Sequence, residues 1–486
     1  MPRVVRRTTR SVVTGALLTL GAVAATSTGP TSARAVEEAP STQDPPNVVV
    51  VLVDDGRLDD LAAMPRTQAG IGDAGATFSR FYAPFPLCCP ARATLLTGQY
   101  AHNHGVLSNK APTGGFSTFD DDPTLATWLT PTHRTGFIGK YLNGNPPHYR
   151  PPGWDEWMAP RQVHSFTNPR WFLHQGVSGT NLDLPGYQTD TMAALAADFI
   201  ARNAPGSEPF FLLTALVAPH DGLPRDPDDV VGFPSPYVKP DYRDRYAHAT
   251  NTDPSFDEAD VSDKPIRPPP LTPQQILGIT EHLQQRLEAS LSVDDAVATV
   301  LTALADSGEL DQTYVVFTSD NGLMLGEHRI PGGKTAPYEV ANHVPFLVRG
   351  PGINPGTVVP DVAAQVDLVP TVLAAAGLPV PASVDGIDLR PLIDAPGSST
   401  RAGVLLEATA VKSQTVPPPW LYQGVVDGRW KYVDRTKATS PDELYDLETD
   451  PYELTNVWSS PETAEVRDRL ASLLASYRTC AGSSCR

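Results

Sequence analysis

Residues 47 to 55 read NVVVVLVDD. The six consecutive apolar side chains leave no polar face, so a strand built from them has to be covered on both sides. Four more runs share the format: TGFIGK at 135–140, PFFLLTALVAPH at 209–220, TYVVFTSDN at 313–321 and VPFLVRGPG at 344–352. Helical periodicity lies between them, over 187–203, 274–306 and 366–376. In the second of these, Leu283, Leu287, Leu291, Val297, Leu301 and Leu304 mark an apolar stripe. Strands alternating with helices predict an α/β sandwich, with a mostly parallel central sheet and helices on both faces.

Polar residues collect where the runs end. Asp54-Asp55, Lys140, His220 and Asp320-Asn321 all stand at or just past the C-terminal end of a predicted strand. Open α/β sheets bind ligands at that edge, so residues distant in sequence can converge on one pocket. Asp54, Asp55, Asp320 and Asn321 offer four oxygen-bearing side chains with no neighbouring Cys or His. That donor set favours Ca²⁺, or less so Mg²⁺, over zinc.

The stretch 221–275 is dominated by proline and charge and is expected to be a long ordered excursion over the rim of the site. Past residue 400 the pattern changes. YQGVVDGRWKYV predicts a hairpin turning at Asp427-Gly428, and an amphipathic helix is expected near 462–477. The expected organisation is a signal peptide over 1–35, a linker over 36–45, a catalytic domain over 46–400 and a small antiparallel sheet with a helix over 401–486.

The signal peptide rests on arginines, then the apolar stretch SVVTGALLTLGAVAATS, then the small residues of SARA before a cut after Ala35. The apolar stretch is short for a bilayer, so no membrane span is expected after cleavage. The mature protein is expected to be secreted, with the Sec and Tat routes both open. Removing residues 1–35, which hold five arginines and no acid, takes the net charge from −18 to −23. Such a surface repels nucleic acid and anionic membrane. A bound anion therefore needs a local cluster of positive groups.

Export sharpens the question of the four cysteines, because thiols pair or oxidise outside the cell. Cys480 and Cys485 are close enough in sequence to bridge, with two free thiols as the alternative. Cys88 and Cys89 are adjacent, an arrangement that strains a disulfide, so one of them is expected to have a chemical role. Cys88, Pro90, Arg92, Thr97 and Gly98 form Cys-x-Pro-x-Arg, four residues, then Thr-Gly. At average residue usage the three-residue core arises by chance about once in 40,000 positions.

On these residues the chain resembles the type I sulfatases, a family similar in fold to alkaline phosphatase. The likeness runs from about 46 to 458, through NVVVVLVDD, CCPARATLLTG, TGFIGKYLNG, APH, TSDNGLMLGEHR, GGKTAPYE, VPFLVRGPG and ELYDLETDPYELTNV. LCCPAR, YAHNHGV, GKYLN and PPGWDEW look most like the N-acetylglucosamine-6-sulfatase branch.

The resemblance implies that Cys88 is oxidised to formylglycine (3-oxoalanine) by a separate formylglycine-generating enzyme that reads the unfolded segment. Cys89 would be a small packing residue. A thiol attacking sulfur would be trapped, whereas the hydrated aldehyde attacks with one hydroxyl and expels sulfate as the other loses its proton. The metal set Asp54, Asp55, Asp320 and Asn321 would polarise a sulfate oxygen. Arg92 and Lys140 would offset charge near the nucleophile, Lys334 would hold sulfate and leaving oxygen, and His220 would protonate the departing alcohol.

One departure stands out: many sulfatases carry Lys-x-His where this chain has Lys140-Tyr141-Leu142. His102, His104 and His328 are candidates for that histidine's task or for gripping substrate. Asn143 and His148 are further candidates to face the pocket. The substrate is expected to be a sulfated carbohydrate or an aryl sulfate. A formylglycine-dependent phosphonate or phosphodiester hydrolase and a non-catalytic glycan-binding protein are the competing readings.

Overall fold

Burial on both faces governs the centre of the molecule. The computed structural model describes residues 45–486 apart from 176–177, 205, 414 and 437–440. The expected signal peptide and nearly all of the expected linker therefore lie outside the described residues. Ten strands form the main sheet: β1 (Asn47–Val53), β2 (Ala76–Phe78), β3 (Arg134–Gly139), β4 (Glu156–Pro160), β5 (Arg170–Gln175), β6 (Ser178–Asp183), β7 (Phe210–Ala215), β8 (Thr313–Ser319), β9 (Phe346–Arg349) and β10 (Thr357–Val359). Their spatial order is β10-β2-β9-β8-β1-β7-β3-β4-β5-β6.

Every residue of β1 is buried. Val48, Val50 and Leu52 enter one apolar cluster, with α1 (Cys88–Thr97) beside them. Val49, Val51 and Val53 enter the other, against α2 (Gln188–Asn203) and α3 (Pro273–Asp306). Each buried side chain contributes about 1.5–3 kcal/mol of apolar burial, so neither face of β1 tolerates polar residues. That is why the run shows no alternation. The third expected helix is α4 (Leu368–Ala375).

The five strands β8, β1, β7, β3 and β4 are mutually parallel, so their C-terminal ends share one edge. The run at 344–352, expected to join a parallel sheet, instead gives β9, which is antiparallel to β8. Between Ser319 and Phe346 the chain makes only the four-residue helix Glu339–Asn342. Without a crossover helix to carry it back, the strand returns in the opposite sense. β4, the β5–β6 hairpin and β2 lie in segments without a strand-like apolar run.

A second sheet contains β11 (Val404–Thr409), β12 (Trp420–Val426), β13 (Trp430–Arg435) and β14 (Glu443–Asp446), all antiparallel and in that order. α5 (Ala464–Tyr477) packs on it. Asp427 Oδ1 accepts the backbone N–H groups of Arg429 and Trp430 at the β12–β13 turn, and Gly428 takes φ +100°. Cys480 and Cys485 are bridged, and the Cys480 carbonyl accepts from His102 and Asn103.

The proline-rich stretch is ordered mainly as turns. It leaves the end of β7 and runs along α3, where Tyr246 N–H donates to Glu288 and Gln284 donates to the carbonyls of Ala247 and Ala249. It then meets the turn at 325–329, where His328 N–H donates to the Ser255 carbonyl.

Candidate active site

The spacing of Cys-x-Pro-x-Arg is a helical spacing. Cys88 is the first residue of α1, and Leu87 before it is extended. Pro90 sits in the first turn, where no backbone N–H is required. Cys88 and Arg92 are four positions apart, so both face the sheet edge. Cys89 and Ala93 face the apolar cluster instead. The Cys89 Sγ accepts the Asn143 N–H at 3.1 Å, and burial together with Cys88 pushes its thiol up to about 12. Gly98 closes the helix at φ +67°, where a Cβ would meet Val384 at 2.9 Å.

The strand ends deliver the rest. Asp54 and Asp55 follow β1, Lys140 follows β3, and Asp320-Asn321 follow β8. Asp55 takes φ +65°, unusual for a residue with a side chain. It is held there on three sides. Its N–H donates to Asp320 Oδ1 at 3.0 Å, Asn321 Nδ2 donates to its Oδ1 at 2.7 Å, and Arg286 Nη2 of α3 donates to its carbonyl at 2.6 Å. Arg286 is fully buried and also pairs with Asp60.

Three buried carboxylates meet two buried cations, Arg92 and Lys140, and the partly buried Lys334. Arg92 Nε donates to Asp320 Oδ2 at 2.8 Å, and Arg92 Nη1 donates to the Lys140 carbonyl at 2.6 Å. Lys140 pairs with Asp54. Lys334 pairs with Asp55, and its Nζ is 3.1 Å from the Cys88 Sγ. Burial alone would raise the Asp54 carboxyl, but Lys140, His220, Arg92 and Lys334 outweigh it and hold that carboxyl well below its usual range. Burial and the Asp54 charge push Asp320 up to about 6, Arg92 notwithstanding.

His220 Nε2 lies 3.6 Å from Asp55 Oδ2, and Nδ1 is 2.9 Å from Asp221 Oδ1. Burial would lower the pKa of this imidazole, but Asp54 and Asp55 prevail and raise it to about 10. Ligand atoms of Asp54, Asp55, Cys88 and His220 all lie within 4.8 Å of one another. Asp54 Oδ1 and Asn321 Oδ1 are buried without a hydrogen-bond partner. Unpartnered acceptor oxygens amid carboxylates suit a hard cation, so Asp54, Asp55, Asp320 and Asn321 could hold one.

The structure thus gathers Cys88, Arg92, Lys140, His220, Lys334 and the four oxygen donors. Asn143 lines a cavity of about 310 Å³ beside Lys140. The four histidine candidates have other partners. His102 spans Glu407 and the Cys480 carbonyl. His104 is held by Thr94 and the Val106 N–H. His328 bonds Glu258 at 2.7 Å and packs on Tyr338. His148 packs edge-on against Phe172. Each of these rings thus has a neighbour of its own outside the cluster around Cys88. Leu142 is buried in the apolar core.

Three residues near the site escaped the sequence. Asp221 orients His220, and its adjacency in the chain was the available signal. Arg286 interrupts the apolar stripe of α3. His164 lies in the loop after β4, with its ring 4.7 Å from that of His220. His164 is exposed.

Residues 46–378 match the sulfatase family model. The chain belongs to the sulfatase family. Residues 326–479 of this sulfatase also match the family described as N-sulphoglucosamine sulphohydrolase, C-terminal. N-acetylglucosamine-6-sulfatase of Homo sapiens is 30% identical over 485 residues, covering 91% of the chain and 86% of that protein. An extracellular sulfatase SULF-1 homolog of Drosophila melanogaster is 34% identical over 371 residues, covering 72% of the chain. The chain spans 31% of that longer relative.

A structure solved in complex with its substrate D-glucosamine-2-N,6-O-disulfate has TM-score 0.71 at 22% identity, covering 89% of this chain and 97% of the other. A phosphonate monoester hydrolase from Silicibacter pomeroyi has TM-score 0.64 at 23% identity, covering 90% and 95%. Both establish the alkaline-phosphatase-like fold and nothing finer. The family and the glucosamine-sulfatase relatives make this sulfatase a sulfuric ester hydrolase. Among the described residues no helix is long and apolar enough to cross a membrane.

Proposed function

We propose that the sulfatase is an exported enzyme that removes sulfate from a sulfated sugar of the glucosamine-6-sulfate type, using formylglycine derived from Cys88 and a divalent metal, Ca²⁺. The observation carrying this reading is the Cys88 side chain at the start of α1, 3.1 Å from Lys334 Nζ and grouped with Asp54, Asp55 and His220. The Cys88 Sγ stands in for the formylglycine oxygens. Formylglycine supplies a nucleophile that can release its own product, and the cation, held by Asp54, Asp55, Asp320 and Asn321, supplies Lewis acidity.

The chain's own residues do the rest. Lys334 and Lys140 attract the sulfate into an otherwise acidic protein. Arg92 locks Asp320 and the Lys140 carbonyl, and so fixes the metal set relative to α1. The Nδ1 of His220 is anchored on Asp221, so its Nε2 faces the site and carries the proton for the departing alcohol. Similarity to an N-acetylglucosamine-6-sulfatase and to an extracellular sulfatase supports the sugar substrate and export.

The test is a panel of monosaccharides sulfated at single known positions, run on protein whose Cys88 peptide has been weighed. Conversion lowers the peptide mass by about 18 Da, the net of losing one sulfur and two hydrogens and gaining one aldehyde oxygen. Turnover of a glucosamine 6-sulfate is the expected result. Turnover of a phosphodiester in preference to every sulfate would instead favour the phosphonate or phosphodiester reading.

A further inference from the structure

Beside Lys140 lies the 310 Å³ cavity, whose lining includes Asn143, Arg161 and His164. Its ring lies against that of His220, 4.7 Å between centroids and tilted by 37°. His164 is exposed, and its ring nitrogens make no hydrogen bond to a described residue, whereas His102, His104 and His328 are each engaged.

The backbone around His164 is fixed. Leu223 N–H donates to the His164 carbonyl and Phe166 N–H to the Leu223 carbonyl, both at 2.7 Å. Gln188 Nε2 donates to the carbonyls of Val163 and Ser165 at 2.9 and 3.0 Å. An imidazole with unengaged nitrogens, a fixed backbone and a cavity in front of it is preorganised for a ligand.

The position of the cavity says which part of a substrate reaches it. Its lining does not include Cys88. His164 also stands outside the group formed by Asp54, Asp55, Cys88 and His220. Sulfur is bound within that group, so the portion extending past His220 is the alcohol on the far side of the S–O bond.

We infer that His164 is a substrate-binding residue of the leaving-group subsite, hydrogen-bonding a hydroxyl or amide of the sugar that departs. This rests on the sugar-sulfate reading. Asn143 and Arg161 line the same cavity and complete a polar surface suited to a hydroxylated ring. Leu142, two residues past Lys140, offers no polar group.

The test compares wild type, His164→Ala and His164→Gln on 4-nitrophenyl sulfate and on whichever sulfated monosaccharide the wild type cleaves. Formylglycine content is checked by mass and calcium by elemental analysis in all three. His164→Ala is expected to lose about 10- to 100-fold in kcat/KM on the sugar, chiefly through KM, and far less on the nitrophenyl ester. His164→Gln, which keeps a donor and an acceptor, is expected to recover part of the loss. Equal losses on both substrates, or none on the sugar, would overturn the assignment of His164 alone. A wild type that cleaves the nitrophenyl ester and no sugar would remove the sugar reading and the subsite with it.

Discussion

The Nζ of Lys334 stands 3.1 Å from the Cys88 Sγ and also contacts the Asp55 carboxylate. One ammonium thus joins the proposed nucleophile position to the proposed metal set, where charge would build as an S–O bond breaks. Lys334→Met should lower kcat/KM by about 10²–10³-fold on aryl and sugar sulfates alike. Steady-state kinetics at matched formylglycine content measure it; a loss confined to KM would make Lys334 a ground-state binder.

The two adjacent cysteines should behave in opposite ways. Cys88→Ala is expected to abolish turnover, because only Cys88 shares a helix face with Arg92. Cys89→Ser should retain most activity, since Cys89 packs in the core and accepts one backbone N–H. An inactive Cys89→Ser alongside an active Cys88→Ala would reverse the register.

Dialysis against a chelator should remove activity, and Ca²⁺ should restore it more fully than Mg²⁺. The irregular donor set, with one residue at a left-handed φ, suits the flexible coordination of calcium. Full turnover in protein shown by elemental analysis to be metal-free would take the cation out of the mechanism.

His220→Ala tests proton donation. A sugar hydroxyl leaves poorly as an anion, whereas nitrophenolate is stable near neutral pH. The variant should therefore lose ~10²–10⁴-fold on a sulfated sugar and much less on nitrophenyl sulfate. Matching losses would assign His220 to binding or to metal geometry.

His102 gives a pH prediction away from the chemistry. Burial works against its charged form, but the hydrogen bond and charge of Glu407 raise its pKa to about 9. A folded-state value above the unfolded one means stabilisation that is complete below about pH 6.5 and fades as pH climbs toward 9. The melting temperature of the wild type should fall over that window more than that of His102→Gln. Parallel curves for the two proteins would mean that the pair does not titrate as described.

The parallel core of the sheet and the strand-end residues were legible because continuous apolar runs have few other uses. Asp54, Lys140 and Asp320 could be found from the runs they terminate. β9 was legible as a strand but not in direction, since direction is set by the connection, and residues 320–345 carry no periodicity that reveals one. The histidines were least legible. His102 sits close to the motif in sequence, yet its partners Glu407 and Cys480 come from the far end of the chain. His164 has no local pattern at all, and reaches His220 only because a loop after β4 is pinned to Leu223.

The burial of Cys88 and the docking of the tail bear on when the proposed conversion could occur. Cys88 is 2% exposed in the folded chain. The segment just after its helix is clasped by residues 480–486, through the Cys480 carbonyl with His102 and Asn103 and through Gly482 N–H with Asp385. Those residues are synthesised after the Cys88 segment. If Cys88 is converted as proposed, the converting enzyme would have to reach it before folding buries it, and a chain that folded first would keep its thiol.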